Sequence, residues 1–349
     1  MDKEGLKNNP DLFQDMDSAE GGTQGGTKIP RAAAHGFLLT RGVAEIIGQE
    51  ELEKKLKAGQ KLRIKHGVDP TTTELHLGHA VNYRKMRQFQ NLGHTIVFLI
   101  GDFTARFGDP TDRGKTRFLR SRQEVMAMAK DYLSQAGRVI DMERAEIRYN
   151  GEWYDKMSAE DLLNLMSNVT YGQLIERDMF QERIKKDQPI FSHEMVYPIL
   201  QGYDSVMLKS DLTVCGTDQK FNELMGRWLQ EKMGQPPQVI LTTPILLGAD
   251  GKNKMSQSLG NHISLSDSPE NMYGKIMSIA DDLIVPYFEL CTDLETKALA
   301  VVKEELKTVN PRDVKMRLAK LIVANYHDIT AAEAAEEEFK RVFQERQQP

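Results

Sequence analysis

Residues 61–103 read KLRIKHGVDPTTTELHLGHAVNYRKMRQFQNLGHTIVFLIGDF, and the fold turns on how that run divides. KLRIKHGV predicts a strand running into the turn DPTTTE. HAVNYRKMRQFQNLG predicts a helix closed by Gly93, and HTIVFLIGDF is a continuous apolar run of the kind carried by buried parallel strands. Strand, helix and strand make a βαβ unit, the element from which a helix-covered parallel sheet is built.

Working outward, VAEIIGQEELEKKLKAG upstream is expected to form one amphipathic helix ending at Gly59. Residues 121–190 are mainly helical in pattern, and EMVYPILQGYDSVML continues as an apolar helix. A short strand is expected at DLTVCG and another at PQVILTTPIL, followed by the Gly/Asn/Ser-rich loop GADGKNKMSQSLGN. Beyond Ser268 the signals are helical only. The expected class is therefore α/β: a Rossmann-like parallel-sheet nucleotide-binding domain over 36–265 with a helical connective insertion at 121–190, then an all-α domain over 266–349. Residues 1–35, rich in Gly, Thr and acid and without hydrophobic period, are expected to form a disordered tail.

Composition narrows the function classes. The 349 residues are 40% apolar and 28% charged, enough for two or three packed units. No apolar run approaches the ~18 residues of a membrane span, and the acidic start lacks the charged-then-apolar pattern of a signal peptide, so a cytoplasmic protein is expected. Only Cys215 and Cys291 are present, without metal-ligand spacing, and no protein-bound metal is expected. A net charge of −5 argues against a chain wrapped all over by nucleic acid and leaves a local RNA-binding patch open.

The chemistry-bearing residues cluster in a few motifs. In DPTTTELHLGHA, His76 and His79 flank Gly78 where a strand gives way to a helix N-terminus, a place where unpaired N–H groups and positive partial charge favour phosphate. KMSQS follows much later on a flexible loop, a spacing expected of two ends of one nucleotide site. Tyr197, Gln201 and Asp204 lie at i, i+4 and i+7 and share one face of an otherwise apolar helix. Buried there, Gln and Asp need partners, since an orphaned polar group costs roughly 1–3 kcal/mol.

HLGH and KMSQS, together with GDFTARFGDPTDRGKTR, YPILQGYD and CGTDQKFN in the same order, resemble the class I aminoacyl-tRNA synthetases, and over residues 40–345 the bacterial tyrosyl-tRNA synthetases. The resemblance implies activation of L-tyrosine by ATP, delivered with Mg2+, to tyrosyl-adenylate, and transfer to the terminal ribose of tRNA(Tyr). It implies phosphate contacts from His76, His79 and Lys254, and nucleotide contacts from Gly78, Gly216, Asp218, Lys252, Met255, Ser256 and Gln257. The matching tyrosine-binding positions are Asp69, Thr104, Asp109, Tyr197, Gln201, Asp204 and Gln219, with Asp204 accepting from the phenol hydroxyl. Relatives dimerise through the insertion, so WYDKMSAEDLLNLMSNVTYGQLIERDMF is the expected homodimer interface.

Three departures stand out. Gln257 replaces the second lysine of the loop, Cys215 replaces a glycine before GTDQ, and Lys65 occupies a place where one branch of the family has a tyrosine on the phenol. The chain stops where relatives continue into a small RNA-binding domain; Lys307, Arg312, Lys315, Arg317 and Lys320 form a basic stretch that could face RNA. A catalytically weakened RNA-binding protein, and activation of another aromatic amino acid such as tryptophan, are the alternatives.

Overall fold

A computed structural model describes residues 31–70, 74–108 and 120–343. Helix Arg31–Thr40 belongs to a unit of its own, distinct from the body that begins at Arg41. It starts inside the stretch expected to be disordered; residues 1–30 of that stretch lie outside the described residues.

The body is organised by six strands: β1 (Glu45–Ile47), β2 (Arg63–Val68), β3 (Thr95–Ile100), β4 (Glu146–Tyr149), β5 (Leu212–Gly216) and β6 (Val239–Thr243). Their order is β1-β6-β5-β2-β3-β4, parallel throughout except for β1, which runs antiparallel to β6. Apolar runs with no alternation become the central strands, because helices cover both faces: five of the six β3 residues and every β6 residue are buried.

Two elements correct the sequence reading. The single helix expected over 43–59 is a strand and a helix: Ile46 pairs with Leu241, and Gly48, at φ 85°, turns the chain into Gln49–Lys57. Strand β4 lies within the segment read as mainly helical, where Ile147 pairs with Phe98. Both are short edge strands, whose identity comes from the neighbour they pair with rather than from local propensity.

The strand order positions the site. From β2 the chain moves outward to β3 and β4, whereas β5 and β6 lie on the other side of β2. The order reverses between β2 and β5, and ligands in open α/β sheets bind beyond the strand ends at such a point. Asp69 follows β2 there, and Gly216, Asp218 and Gln219 end or follow β5.

Helices Ser192–Leu208 and Lys220–Lys232 pack together at Gly202, where a Cβ would come within 2.9 Å of the Met225 backbone. Ile199, Val206, Met225 and Leu229 form their apolar seam with Leu165 and Leu174. Into this seam β2 sends Lys65, whose Nζ lies 2.9 Å from Glu223 Oε2 and donates to Ser205 Oγ at 2.7 Å. The paired side chains are 1% and 3% exposed.

Beyond Ser268 the described elements are helical. Tyr287 Oη on helix Ile284–Cys291 donates to Leu247 O at 2.8 Å, just before the GADGKNKMSQSLGN loop. Arg41 donates to Phe288 O, Glu289 O and Thr292 O, satisfying carbonyls at the end of that helix.

Lys65→Ala would strand the Glu223 carboxylate in the core and should lower folding stability by about 3–5 kcal/mol. Lys220→Ala removes the exposed partner of Glu45 and should cost about 1 kcal/mol or less. Urea unfolding midpoints of the two variants test this; equal midpoints would show that the buried pair carries no special weight.

Candidate active site

The HLGH end of the candidate site begins at His76, in extended conformation at the N-cap of helix Leu77–Asn91. Its backbone N–H donates to Nδ1 of His79 at 3.3 Å, and the two rings lie 3.9 Å apart, 34° from parallel. The sequence keeps this helix end compact through Gly78: a Cβ there would come within 3.0 Å of His76 Nδ1 and 3.5 Å of Met255 Cβ. Residue 78 is thus where the HLGH turn and the KMSQS loop touch, with Met255 buried.

Backbone pairing fixes that contact. Leu77 N–H donates to Ile263 O at 3.0 Å and Leu265 N–H to Leu75 O at 2.9 Å, so the return of the loop runs antiparallel to the HLGH approach. Within the loop, Ser256 N–H donates to Asn261 Oδ1 at 2.8 Å and Asn261 Nδ2 to Lys254 O at 3.2 Å. The Lys254 ammonium stands 3.5 Å from Asp218 Oδ2 in an exposed pair, which is weak enough for a phosphate to displace. Lys252 is exposed, while Gln257 is half-buried at the start of a short 3-10 turn.

Burial dominates the electrostatics here. It pushes His76 down to about 2, with His79, His262 and Lys254 adding repulsion, and pushes His79 down to about 4, with His66 and Lys254 adding to it. Both imidazoles are therefore neutral near pH 7 in the unliganded site and offer N–H donors without charge.

The second end of the cleft is a buried hydrogen-bond network. Tyr197 Oη donates to Asp69 Oδ2 at 2.8 Å, and Thr104 Oγ1 to Asp69 Oδ1 at 2.7 Å. Asn150 Nδ2 donates to Thr104 Oγ1 at 2.9 Å and to Asp204 Oδ2 at 3.3 Å, while Trp153 Nε1 reaches Asp204 Oδ1 at 3.1 Å. Along the same helix Gln201 Nε2 donates to Glu223 Oε1 at 3.0 Å, and Asn222 Nδ2 donates to Gln201 Oε1 at 2.7 Å and Gln219 Oε1 at 3.1 Å. Burial raises the Asp204 carboxyl to about 7, against the opposing pull of Lys65 and its donors. Tyr154, Asn150 and Trp153 all hydrogen-bond this carboxylate, which leaves one of its roughly four lone-pair sites for a further O–H.

The structure thus brings Asp69, Thr104, Tyr197 and Asp204 into one network, and Gln201 and Gln219 into its continuation. Asp109 lies outside the described residues. Gly216 and Asp218 adjoin the Lys254 end, a Cβ at 216 meeting Asp218 Oδ1 at 2.6 Å. Cys215 is buried in β5, where desolvation pushes its thiol well up. Asn150, Trp153, Asn222 and Glu223 escaped the sequence reading. Their signal was weak: Asn222 and Glu223 are polar residues in an amphipathic helix, and Asn150 and Trp153 follow an unpredicted strand.

Comparison with known proteins adds to this geometry. Residues 57–344 match the family model described as tRNA synthetases class I (W and Y). The chain is 48% identical over 314 residues to a tyrosine--tRNA ligase of Thermotoga maritima, covering 89% of this chain and 78% of that protein. A tyrosine--tRNA ligase of Carboxydothermus hydrogenoformans is 47% identical, with 89% and 77% covered. The chain belongs to the tyrosyl-tRNA synthetase family. In fold it is similar to the Archaeoglobus fulgidus tyrosyl-tRNA synthetase solved with L-tyrosine, with TM-score 0.70 and 24% identity over 88% of this chain and 100% of that one. A truncated Aspergillus nidulans mitochondrial tyrosyl-tRNA synthetase gives TM-score 0.72 at 21% identity, covering 91% and 95%. The Rossmann-like α/β class expected from the sequence is the class these family members share.

For a member of this family, which uses ATP as substrate, Gly78→Ala tests the HLGH–loop contact. The added methyl forces the His76 ring to give way by a few tenths of an ångström and meets Met255 Cβ at ordinary contact distance. ATP affinity should fall at least tenfold with the unfolding midpoint nearly unchanged; unaltered ATP affinity would show that the close approach is incidental.

Proposed function

We propose that this chain activates L-tyrosine with ATP and transfers the tyrosyl group to the 3′-terminal ribose of tRNA(Tyr). The observation that carries the choice of amino acid is Asp204: a buried carboxylate held by Tyr154, Asn150 and Trp153, with one acceptor site left for a further donor. A phenol O–H satisfies that acceptor. Phenylalanine would leave that last acceptor site dry and unfilled, a penalty of roughly 1–3 kcal/mol, or about 5- to 150-fold in selection.

Asp69, Thr104 and Tyr197, tied to Asp204 through Asn150, and Gln201 and Gln219 offer oxygens that suit an α-ammonium; Asp109 belongs to the same set by sequence match. This binding places the tyrosine carboxylate toward the Asp218–Lys254 end, in line with the α-phosphate of ATP. Attack by a carboxylate oxygen forms the acyl-phosphate bond as the bond to pyrophosphate breaks, and a tRNA ribose hydroxyl then displaces AMP. Neither step needs a covalent protein nucleophile; positioning and charge stabilisation supply the rate.

His76 and His79 donate to the phosphates, and Lys254 leaves Asp218 to follow the growing charge on the departing pyrophosphate. Gly78, Gly216, Asp218, Lys252, Met255, Ser256 and Gln257 line the nucleotide. Mg2+ enters with ATP as part of the substrate. Leu163, Tyr171 and Ile184, 50–69% exposed, give the 121–190 segment an uncovered apolar surface suited to a second copy of the chain. Among the described residues no helix is long and apolar enough to cross a membrane. By family resemblance we assign residues 266–349 to the anticodon side and the reaction to the cytoplasm.

Amino-acid-dependent pyrophosphate–ATP exchange tests the reading. Tyrosine alone among tyrosine, phenylalanine and tryptophan should support exchange, and Gln257→Lys should raise kcat by about 10- to 100-fold by restoring a phosphate charge. Exchange with tryptophan, or a folded chain inert in both forms, would overturn it.

The raised Asp204 carboxyl adds a pH signature. The ionised form accepts from the phenol and is lost as pH falls through about 7. Affinity for tyrosine should therefore be full above pH 8 and drop about tenfold per unit below 7, with Asp204→Asn flattening the profile. A tyrosine KM independent of pH between 6 and 8 would contradict this role.

A further inference from the structure

The loop carries neutral Gln257 where family members hold a lysine, and beside that deficit stands a histidine that the proposed mechanism does not use. His262 lies on the returning arm of the loop, which the Leu77–Ile263 and Leu75–Leu265 backbone bonds pin against the HLGH turn. Its ring centroid is 6.1 Å from that of His76, which is itself 3.9 Å from His79. Three imidazoles thus form a row along the entrance to helix Leu77–Asn91.

The two hydrogen-bonding ends of His262 are differently placed. Nε2 lies 3.4 Å from Glu74 Oε2, while Nδ1 is buried and has no hydrogen-bond partner among the described residues. Nδ1 of neighbouring His76 is in the same condition. The side chain as a whole is 16% exposed, so it is held in place yet reachable from the cleft. A buried ring nitrogen without a partner is a cost, and two side by side next to an anion-binding helix end indicate a ligand that supplies the missing contacts.

We infer that His262 is a third imidazole of the phosphate site: oriented by Glu74, it donates from its open Nδ1 to the outer phosphates of ATP, a contact that partly offsets the loss of the lysine at Gln257. The inference rests on the reading of this site as an ATP site. Imidazolium carries an N–H at both nitrogens, and His262 can give one to the Glu74 carboxylate and the other to a phosphate oxygen. The proton comes from solvent as the phosphate arrives, and no covalent bond changes. A loop lysine reaches the phosphates from a flexible stem; His262 reaches them from a strand-like segment fixed at both ends.

The test is a double-mutant cycle on the full chain. ATP affinity is measured by equilibrium titration without amino acid, and KM values for ATP and tyrosine by exchange, in the unmodified chain, His262→Ala, Gln257→Lys and the double variant. His262→Gln, neutral and closer in size, serves should the alanine variant fail to fold. Removing His262 should weaken ATP binding about tenfold and leave the tyrosine KM within twofold. In the Gln257→Lys background the same change should cost less than threefold.

Equal losses in both backgrounds, a loss confined to the tyrosine KM, or no loss would overturn the inference; a purely structural histidine would give the first pattern with a lowered unfolding midpoint. Exchange is not needed for the titration arm. A chain that binds ATP through His262 but activates no tyrosine would sink the proposed function and leave this inference standing.

Discussion

The site depends on one buried ion pair. Lys65 from β2 and Glu223 from helix Lys220–Lys232 meet at 2.9 Å with almost no exposure, beneath the floor of the cleft. Such a pair survives only if its remaining hydrogen-bonding capacity is used, and one of the partners that uses it, Gln201, is a candidate site residue. Glu223 accepts from Gln201 and Gln238, and Lys65 donates to Ser205. With its Nε2 committed to Glu223, Gln201 turns its oxygen toward Asn222 and the cleft. Lys65 also opposes the rise that burial imposes on Asp204. The lysine that departs from the tyrosine found in one branch of the family thus acts from below the pocket rather than inside it.

The nucleotide end is assembled differently. There the backbone does the holding: short antiparallel pairing between residues 75–77 and 263–265, with Gly78 against Met255, brings together segments distant in sequence. Side chains at this end are consequently left with open capacity, including neutral, desolvated His76 and His79 and a Lys254 held only by an exposed pair. On the proposed function, an amino-acid end closed by side-chain hydrogen bonds and a phosphate end with open donors suit a reaction in which one substrate is read closely and the other loses a large anionic fragment.

Much of this was legible in the sequence. The run from Lys61 to Phe103 announced its βαβ unit through turn residues and an unbroken apolar strand, and HLGH, KMSQS and YPILQGYD carried their resemblance openly. What was not legible has a common physical cause. Strands β1 and β4 are edge segments defined by their neighbours, so local pattern favoured helix for both. Glu223, Asn150 and Trp153 matter because the fold sets them beside Asp204 and Gln201, and no local spacing encodes that. His262 carries no signal of its own in the sequence; backbone pairing of its neighbours places it next to His76. The cysteine at 215 proved to be a buried strand residue with a desolvated thiol.

Calorimetric titration with L-tyrosine in the absence of ATP, repeated with L-phenylalanine and on Lys65→Met, tests most directly whether this network reads the amino acid. The account predicts saturable tyrosine binding, phenylalanine weaker by about the 5- to 150-fold that one orphaned acceptor costs, and loss of that preference in a folded Lys65→Met chain. Equal affinity for the two amino acids, or an intact preference in the variant, would contradict it.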